Sequence, residues 1–146
     1  MIIPLRSNGQ IINATWFNIL KNIIEGVLSP NAISQTTFSI ADNQASLTSI
    51  TNLVFSSANV LSARVFYSIY RTDGTIERRE TGHLTVRFSA ISNAWTWARE
   101  SSGDNALNVN DSLIVTSAGQ VQYLSDSMAG TYSGNIKYKV LEVIDA

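Results

Sequence analysis

The chain contains no cysteine, so disulfide bonds and thiolate metal sites are excluded. It is also poor in charge, because Asp, Glu, Lys and Arg make up 14% of its 146 residues, against about 25% in an average chain. Its polar surface must therefore come from Ser, Thr, Asn and Gln, which is typical of all-β proteins that are extracellular or assembled into large particles. The net charge of −1 predicts neither a nucleic acid nor an anionic membrane as a partner.

Long hydrophobic runs are absent as well. The longest, Trp16 to Leu28, is interrupted by polar residues and is shorter than the roughly 20 residues that cross a bilayer. No basic segment followed by an apolar one stands at the N-terminus, so no signal peptide is predicted. We expect a soluble protein that contains one main domain.

Residues 1–30 are predicted to form an extended N-terminal arm and one short amphipathic helix. Asn13 stands where an N-cap belongs, and Gly26 and Pro30 end the helical pattern. One helical face carries four large apolar side chains at i, i+4, i+7 and i+11, namely Trp16, Leu20, Ile23 and Val27. Two alternatives remain open: the helix packs on its own β-sheet, or it packs against copies of itself and forms an oligomer interface.

Residues 31–146 change to period-2 patterns, which predict an antiparallel β-domain of about eight strands. Turn residues separate the strands at short intervals, which favours a β-sandwich or a jelly-roll-like domain. The longest predicted strand runs from Val60 to Arg71 and has apolar groups on both faces, which favours a central position. Asp73-Gly74 predicts a tight hairpin after it. The alternating stretches at 119–125 and 132–140 are predicted to be antiparallel neighbours.

No arrangement of residues points to catalysis, a metal or a cofactor. His83 is the only histidine and is interpreted as a solvated strand residue. Glu77 and Glu80 should face opposite sides of a strand, which does not suit the paired carboxylates of a glycosidase, and their charge run is interpreted as a solvated hairpin. Five oxygen-bearing residues in one loop lack the spacing of a calcium loop: Asp104, Asn105, Asn108, Asn110 and Asp111.

Aromatic residues are the better candidates for recognition. Trp95 and Trp97 lie on one face of a predicted strand. If that face is exposed, the two rings, together with Tyr132, form a platform for sugars or for another protein. If it faces inward, the two tryptophans belong to the core, and the interpretation as a carbohydrate-binding module fails.

Several segments resemble small virion proteins of tailed bacteriophages. The resemblance lies in Pro4 to Asn18, which include Trp16-Phe17-Asn18, and in four later segments: Tyr70-Arg71, Gly82-His83-Leu84, Trp95-Thr96-Trp97 and 119–123 with 132–134. Such patterns are used in head fibres, capsid decoration proteins and tail-fibre attachment domains. The resemblance implies a non-enzymatic structural protein of the virion, made in the host cytoplasm.

The same resemblance implies the partners. A homotrimer is expected, together with contacts to other phage virion proteins, and a host surface glycan is the expected ligand of the carbohydrate-binding alternative. Fibre proteins continue into a long repetitive or receptor-binding part, which this sequence does not contain. A short adaptor, knob or capsid decoration protein is therefore favoured over a full fibre.

Overall fold

The computed structural model describes residues 3–4, 11–12, 35–110 and 112–146. The chain forms two compact units, residues 1–34 and 35–146. In the first unit β1 (Ile3–Pro4) pairs with β2 (Ile11–Ile12) in antiparallel fashion. The predicted helix and its apolar residues Trp16, Leu20, Ile23 and Val27 lie outside the described residues. The predicted division of the chain near residue 30 and the predicted N-terminal arm stay predictions.

The second unit confirms the prediction of a mainly β, antiparallel domain with eight strands. These are β3 (Thr36–Ser39), β4 (Thr48–Val54), β5 (Val60–Thr72), β6 (Glu77–Ser89), β7 (Ala94–Gly103), β8 (Leu113–Val115), β9 (Gln120–Tyr123) and β10 (Ser133–Asp145). Within the described ranges no helix has the length and apolarity that crossing a membrane requires.

The eight strands form two antiparallel sheets. Five strands follow the order β3-β10-β5-β6-β7, and three follow the order β4-β9-β8. β5 is the middle strand of the larger sheet, as its apolar residues on both faces predicted. Both sheets contribute to one hydrophobic cluster, so their inner faces pack against a shared core. The more specific prediction of a sandwich or jelly roll stays a prediction.

The β5–β6 hairpin forms at the predicted Asp73-Gly74 turn. Asp73 Oδ1 accepts hydrogen bonds from the backbone N–H groups of Thr75 (2.8 Å) and Ile76 (2.7 Å). These backbone hydrogen bonds lower the pKa of Asp73. Gly74 has φ +89°, a conformation that a residue with a Cβ adopts at a cost. The turn therefore fixes the register of the two longest neighbouring strands.

The prediction that the last two strands are neighbours is wrong. β9 pairs with β4 and β8 in the three-stranded sheet, whereas β10 pairs with β3 and β5 in the five-stranded sheet. The hairpin partner of β9 is β8, across the turn at Ser117-Ala118-Gly119. Alternation along a strand shows which residues face inward, but it does not identify the neighbouring strand.

A glycine in β6 leaves space for a tyrosine in β5. Gly82 lies opposite Tyr67 in the sheet, and both residues are buried. A Cβ built on Gly82 would lie 2.7 Å from the Tyr67 hydroxyl and 2.3 Å from the carbonyl oxygen of Glu100. The Tyr67 ring therefore occupies the volume that any larger residue at position 82 would need.

Replacement Gly82→Ala is expected to destabilise the domain by about 1–3 kcal/mol, because overpacking forces Tyr67 or the β7 backbone to move. Urea unfolding measures the loss. Ser101→Ala is the matched control, since exposed Ser101 lies opposite Gly82 on β7, and it should change the stability by less than about 0.5 kcal/mol. Equal stabilities of the two variants would contradict the steric explanation.

Candidate functional site

The two tryptophans of the predicted platform face the core. Trp95 is 6% exposed and packs between Phe55 and Phe88, whose ring centroids lie 5.7 and 5.5 Å from its own. Trp97 is half-buried and packs against the same hydrophobic cluster. Of the two alternatives that the sequence left open, Trp95 therefore follows the one in which it belongs to the core, and it does not form an exposed recognition surface. Its large apolar ring gains more from burial than its indole N–H loses.

Tyr132 lies at the other end of the larger sheet. Its hydroxyl donates to the carbonyl oxygen of Ile40 (2.9 Å) and accepts a hydrogen bond from Arg71 Nε (3.1 Å). Burial raises the pKa of Tyr132. Arg71, the partner of Tyr132, lies opposite Arg78 on β6, and Trp95 lies opposite Phe88 on the same strand. At about 3.3 Å per residue, roughly 30 Å of β6 separates Arg78 from Phe88. The structure does not bring Tyr132 and Trp95 into one platform.

The side chain of Arg71 is completely buried and forms the centre of a polar cluster. Its guanidinium donates to Asp126 Oδ1 (2.6 Å), to the Asp126 carbonyl oxygen (2.6 Å) and to the carbonyl oxygens of Ala106 (3.0 Å) and Leu107 (3.3 Å). Asp42 Oδ1 lies 3.4 Å from Nη2. Burial alone would lower the pKa of Arg71, but the hydrogen bonds to Asp126 and Tyr132 raise it, so the charge persists inside the protein.

Asp126 has two further side-chain donors, one on β6 and one in the loop before β8. Arg78 Nη1 lies 2.7 Å from Asp126 Oδ2, and Asn108 Nδ2 donates to the same oxygen at 2.7 Å. Partial burial would raise the pKa of Asp126, but the hydrogen bonds from Arg78, Asn108 and Arg71 lower it overall. The carboxylate is thus held ionised between two arginines, which leaves it unsuited to act as a proton donor near neutral pH.

A second buried cluster surrounds Glu80, which is 1% exposed. Glu80 Oε1 accepts hydrogen bonds from Tyr67 (2.8 Å) and from Arg99 Nη2, while Oε2 accepts one from the backbone N–H of Ala106 (3.0 Å). Arg99 Nε also donates to the Tyr67 hydroxyl (2.8 Å). Burial, followed by the hydrogen bond to Glu80, raises the pKa of Tyr67 to about 12.

These clusters correct the interpretation of the charge run as a solvated hairpin. Glu77 is exposed, as expected, but Glu80 and Arg71 are buried. The signal was present in the alternation: Glu80 shares a face with Gly82 and Leu84, and Arg71 shares a face with Tyr67 and Ile69. Each buried charge is tolerated because it has an opposite charge and further hydrogen bonds.

The oxygen-rich loop before β8 supplies hydrogen-bonding groups to both clusters. Its Ala106 uses its N–H for Glu80 and its carbonyl for Arg71, and Asp104 Oδ2 accepts a hydrogen bond from the Arg79 backbone N–H (3.3 Å). Asn108 has φ +53°, and Asp111 lies outside the described residues. In the described parts of the chain, no three His, Cys, Asp or Glu side chains come together in a group that could hold a metal ion.

The outer face of the five-stranded sheet is open and polar. Its exposed side chains alternate with the buried ones, and small hydroxyl residues dominate. Phe66 packs at an angle of 56° against His83 with ring centroids 5.3 Å apart, and Arg79 lies 4.6 Å from the centroid of the Tyr70 ring. Shallow depressions lie beside both of these side-chain pairs. This face is the candidate functional surface that the tryptophan hypothesis did not include.

Comparisons with known proteins find a likeness in structure and none in sequence. No protein-family model and no curated protein sequence matches the chain. Among solved structures, the tailspike protein of Acinetobacter phage vB_ApiP_P1 is similar, with a TM-score of 0.50 and 12% sequence identity. The likeness covers 82% of this chain and 23% of the tailspike. It shows that the β-fold of this chain also occurs within a phage tailspike, of which the chain spans less than a quarter.

The Arg71 cluster predicts a large cost for removing the guanidinium. Arg71→Met should destabilise the domain by about 3–5 kcal/mol, because the ion pair with Asp126 loses its buried partner and the carbonyl oxygen of Ala106 loses the donor that Arg71 supplies. Arg79→Met is the matched control: its side chain is 67% exposed and its contacts with Glu77 and the Tyr70 ring lie at the surface, so the loss should stay below about 1 kcal/mol. Urea unfolding compares the two, and similar losses would contradict the role assigned to Arg71.

The raised pKa of Tyr67 predicts a loss of stability at alkaline pH. An unfolded tyrosine loses its proton near about pH 10, whereas folded Tyr67 holds its proton up to about 12. Protonated Tyr67 therefore contributes its full share of the folding stability below about pH 10. This contribution is lost as the pH rises through the pKa that Tyr67 has in the folded protein. Tyr67→Phe should be less stable at neutral pH, but its stability should fall less steeply above pH 10. Parallel urea-stability curves for the two proteins would contradict this assignment.

Proposed function

We propose that the protein is a non-enzymatic structural component of a tailed-bacteriophage virion that forms a homotrimer. It acts as a capsid decoration protein, a knob or a tail-fibre adaptor. The observation that carries this proposal is the likeness of 82% of the chain to part of a phage tailspike. The segments that resemble small phage virion proteins, such as Gly82-His83-Leu84 and Trp95-Thr96-Trp97, support the same class independently.

The interior suits a mechanical role. Glu80 and Asp126 are each bound by arginine and by further donors, so both carboxylates take part in contacts that hold the fold together. The same contacts hold three loops at one end of the sheets. A domain stabilised in this way keeps its shape on a particle surface, where shape rather than turnover is required.

The trimer part of the proposal rests on the N-terminal sequence. Trp16, Leu20, Ile23 and Val27 are spaced for one helical face, and burial of each large apolar side chain contributes about 1.5–3 kcal/mol. Such a face needs a partner surface. We propose that the partner is the same segment of neighbouring copies, around a three-fold axis.

The mass of the 146-residue chain in solution tests this proposal. A trimer of the 16.0 kDa chain is expected at micromolar concentration by light scattering or mass photometry. The double variant Leu20→Asp with Ile23→Asp should be monomeric and should retain the β-sheet circular dichroism and thermal unfolding of a folded domain, because the charges disrupt only the interface.

Asn18→Asp with Asn22→Asp is the matched control. It adds the same two charges on the predicted polar face and should leave the trimer intact. A wild-type monomer would refute the trimer. Global unfolding of the Leu20/Ile23 variant would instead favour the alternative in which the helix packs on its own β-domain.

A carbohydrate-binding module built on Trp95, Trp97 and Tyr132 is not favoured as a second function. Trp95 lies in the core, and Tyr132 uses its hydroxyl within the Arg71 cluster. Any recognition by this domain has to involve a different surface.

A further inference from the structure

One end of the larger sheet has an apolar surface. Four large apolar side chains that are 40–51% exposed lie there, on the paired ends of β5 and β10: Leu61, Leu141, Val143 and Ile144. Val143 lies opposite buried Ala63, and Ile144 lies opposite Ser62 on the other face. Apolar groups therefore lie on both faces of this strand pair. We call these four side chains the apolar end.

β10 reaches beyond its neighbour β3 at the apolar end. Pairing between β3 and β10 stops at Tyr138, and β10 continues to Asp145 alongside β5. In the part of the chain that the structure describes, residues 139–145 thus have a neighbouring strand on one side only. Register shifts after Val140 and after Ile144 interrupt this stretch. Such irregularities disfavour the addition of another strand, so a partner has to bind through side chains.

The charges that border the apolar end are of both signs. Three basic and two acidic side chains lie on the same strand ends and on neighbouring β6: Arg64, Arg87 and Lys139, with Glu142 and Asp145. Arg64 and Glu142 lie directly opposite one another. A strongly acidic or strongly basic partner meets like charges here, whereas a second copy of this chain offers both signs.

The size of the apolar end limits how tightly it binds. Four partly exposed side chains give an affinity on the order of millimolar, and an interface that is stable by itself involves about 20–30 residues a side. The apolar end therefore does not hold a free partner at micromolar concentration. It does hold a partner that another contact keeps beside it, because a short tether gives an effective concentration on the order of millimolar.

The chain joins the β-domain close to the apolar end. β3 begins at Thr36, which pairs with Tyr138, directly before residues 139–145 of β10. Eight residues, 28–35, separate the segment 16–27 from β3, and their reach is at most about 29 Å. Copies that associate through residues 16–27 are therefore tethered to each other by short linkers.

We propose that the apolar end of each copy packs against a neighbouring copy in the homotrimer. This inference rests on the proposed trimer and assigns it a second contact surface, on the β-domain. The contact removes Leu141, Val143 and Ile144 from water. It also keeps neighbouring β-domains in fixed positions, which an association through residues 16–27 alone does not do.

Photo-crosslinking identifies what covers the apolar end. The benzophenone amino acid p-benzoylphenylalanine replaces Ile144 in the full chain, and Ile76 in the matched control. The two isoleucines are 51% and 53% exposed, but Ile76 lies in the turn between β5 and β6, at the opposite end of the sheet. A difference between the two positions therefore reports a covering surface rather than a difference in exposure.

We expect illumination at micromolar concentration to convert the position-144 protein into a covalent dimer with twice the mass of the 16.0 kDa chain. The yield on a denaturing gel should be at least about tenfold higher than from position 76. Ile144→Asp should raise the concentration at which half of the trimer dissociates by about tenfold, and Ile76→Asp should leave it within about twofold. Sedimentation measures both, circular dichroism confirms folding, and Val143→Asp replaces Ile144→Asp if that variant does not fold.

The mass of the wild-type chain and the cross-link test different statements. A trimer in which positions 144 and 76 give equal yields of covalent dimer overturns the inference and leaves the trimer standing. A cross-link from position 144 to residues 1–34 of the same chain, without a covalent dimer, overturns it as well, because the chain then covers its own apolar end. A monomeric wild type refutes the trimer, and this inference with it.

Discussion

The burial of the Arg71 charge is the constraint on which one end of the domain depends. An unpaired ion in the interior costs several kcal/mol, so the surrounding chain has to supply acceptors. Those acceptors come from segments far apart in sequence, near residues 42, 106 and 126. Glu80 binds the N–H of Ala106 while Arg71 binds its carbonyl. Two charges of opposite sign on one sheet thus fix the same loop residue.

The sequence predicted the strands better than the contents of the core. Period-2 alternation correctly indicated β5 and β6, and Asp73-Gly74 correctly indicated the turn between them, because both signals are local. The same alternation placed Arg71 and Glu80 inward, but the general rule that charges are exposed led to the interpretation of the run from Glu77 to Glu80 as solvated, and no role was predicted for Arg71. Arg71 is buried because Asp126, 55 residues away, lies beside it. No local pattern contains that information.

The wrong pairing of the last two strands has a related cause. Consecutive strands are often neighbours, but the segment between β9 and β10 is held by distant backbone instead. Ser125 Oγ donates to the carbonyl oxygen of Ala41 (2.7 Å), and the Thr131 N–H donates to the carbonyl oxygen of Asp73 (3.0 Å). These hydrogen bonds fix the path of the segment that connects the smaller sheet to the larger one. The segment between the strands therefore joins the two sheets at the end where the Arg71 cluster lies.

β5 connects the buried clusters with the outer face of the larger sheet. Tyr67, Ile69 and Arg71 face the core, while Phe66, Ser68 and Tyr70 face outward from the same strand. Because Tyr67 is held by Glu80 and Arg99, the inward-facing hydrogen bonds also hold the middle strand of that sheet in place. The buried charges thus help to keep the outer face in one shape.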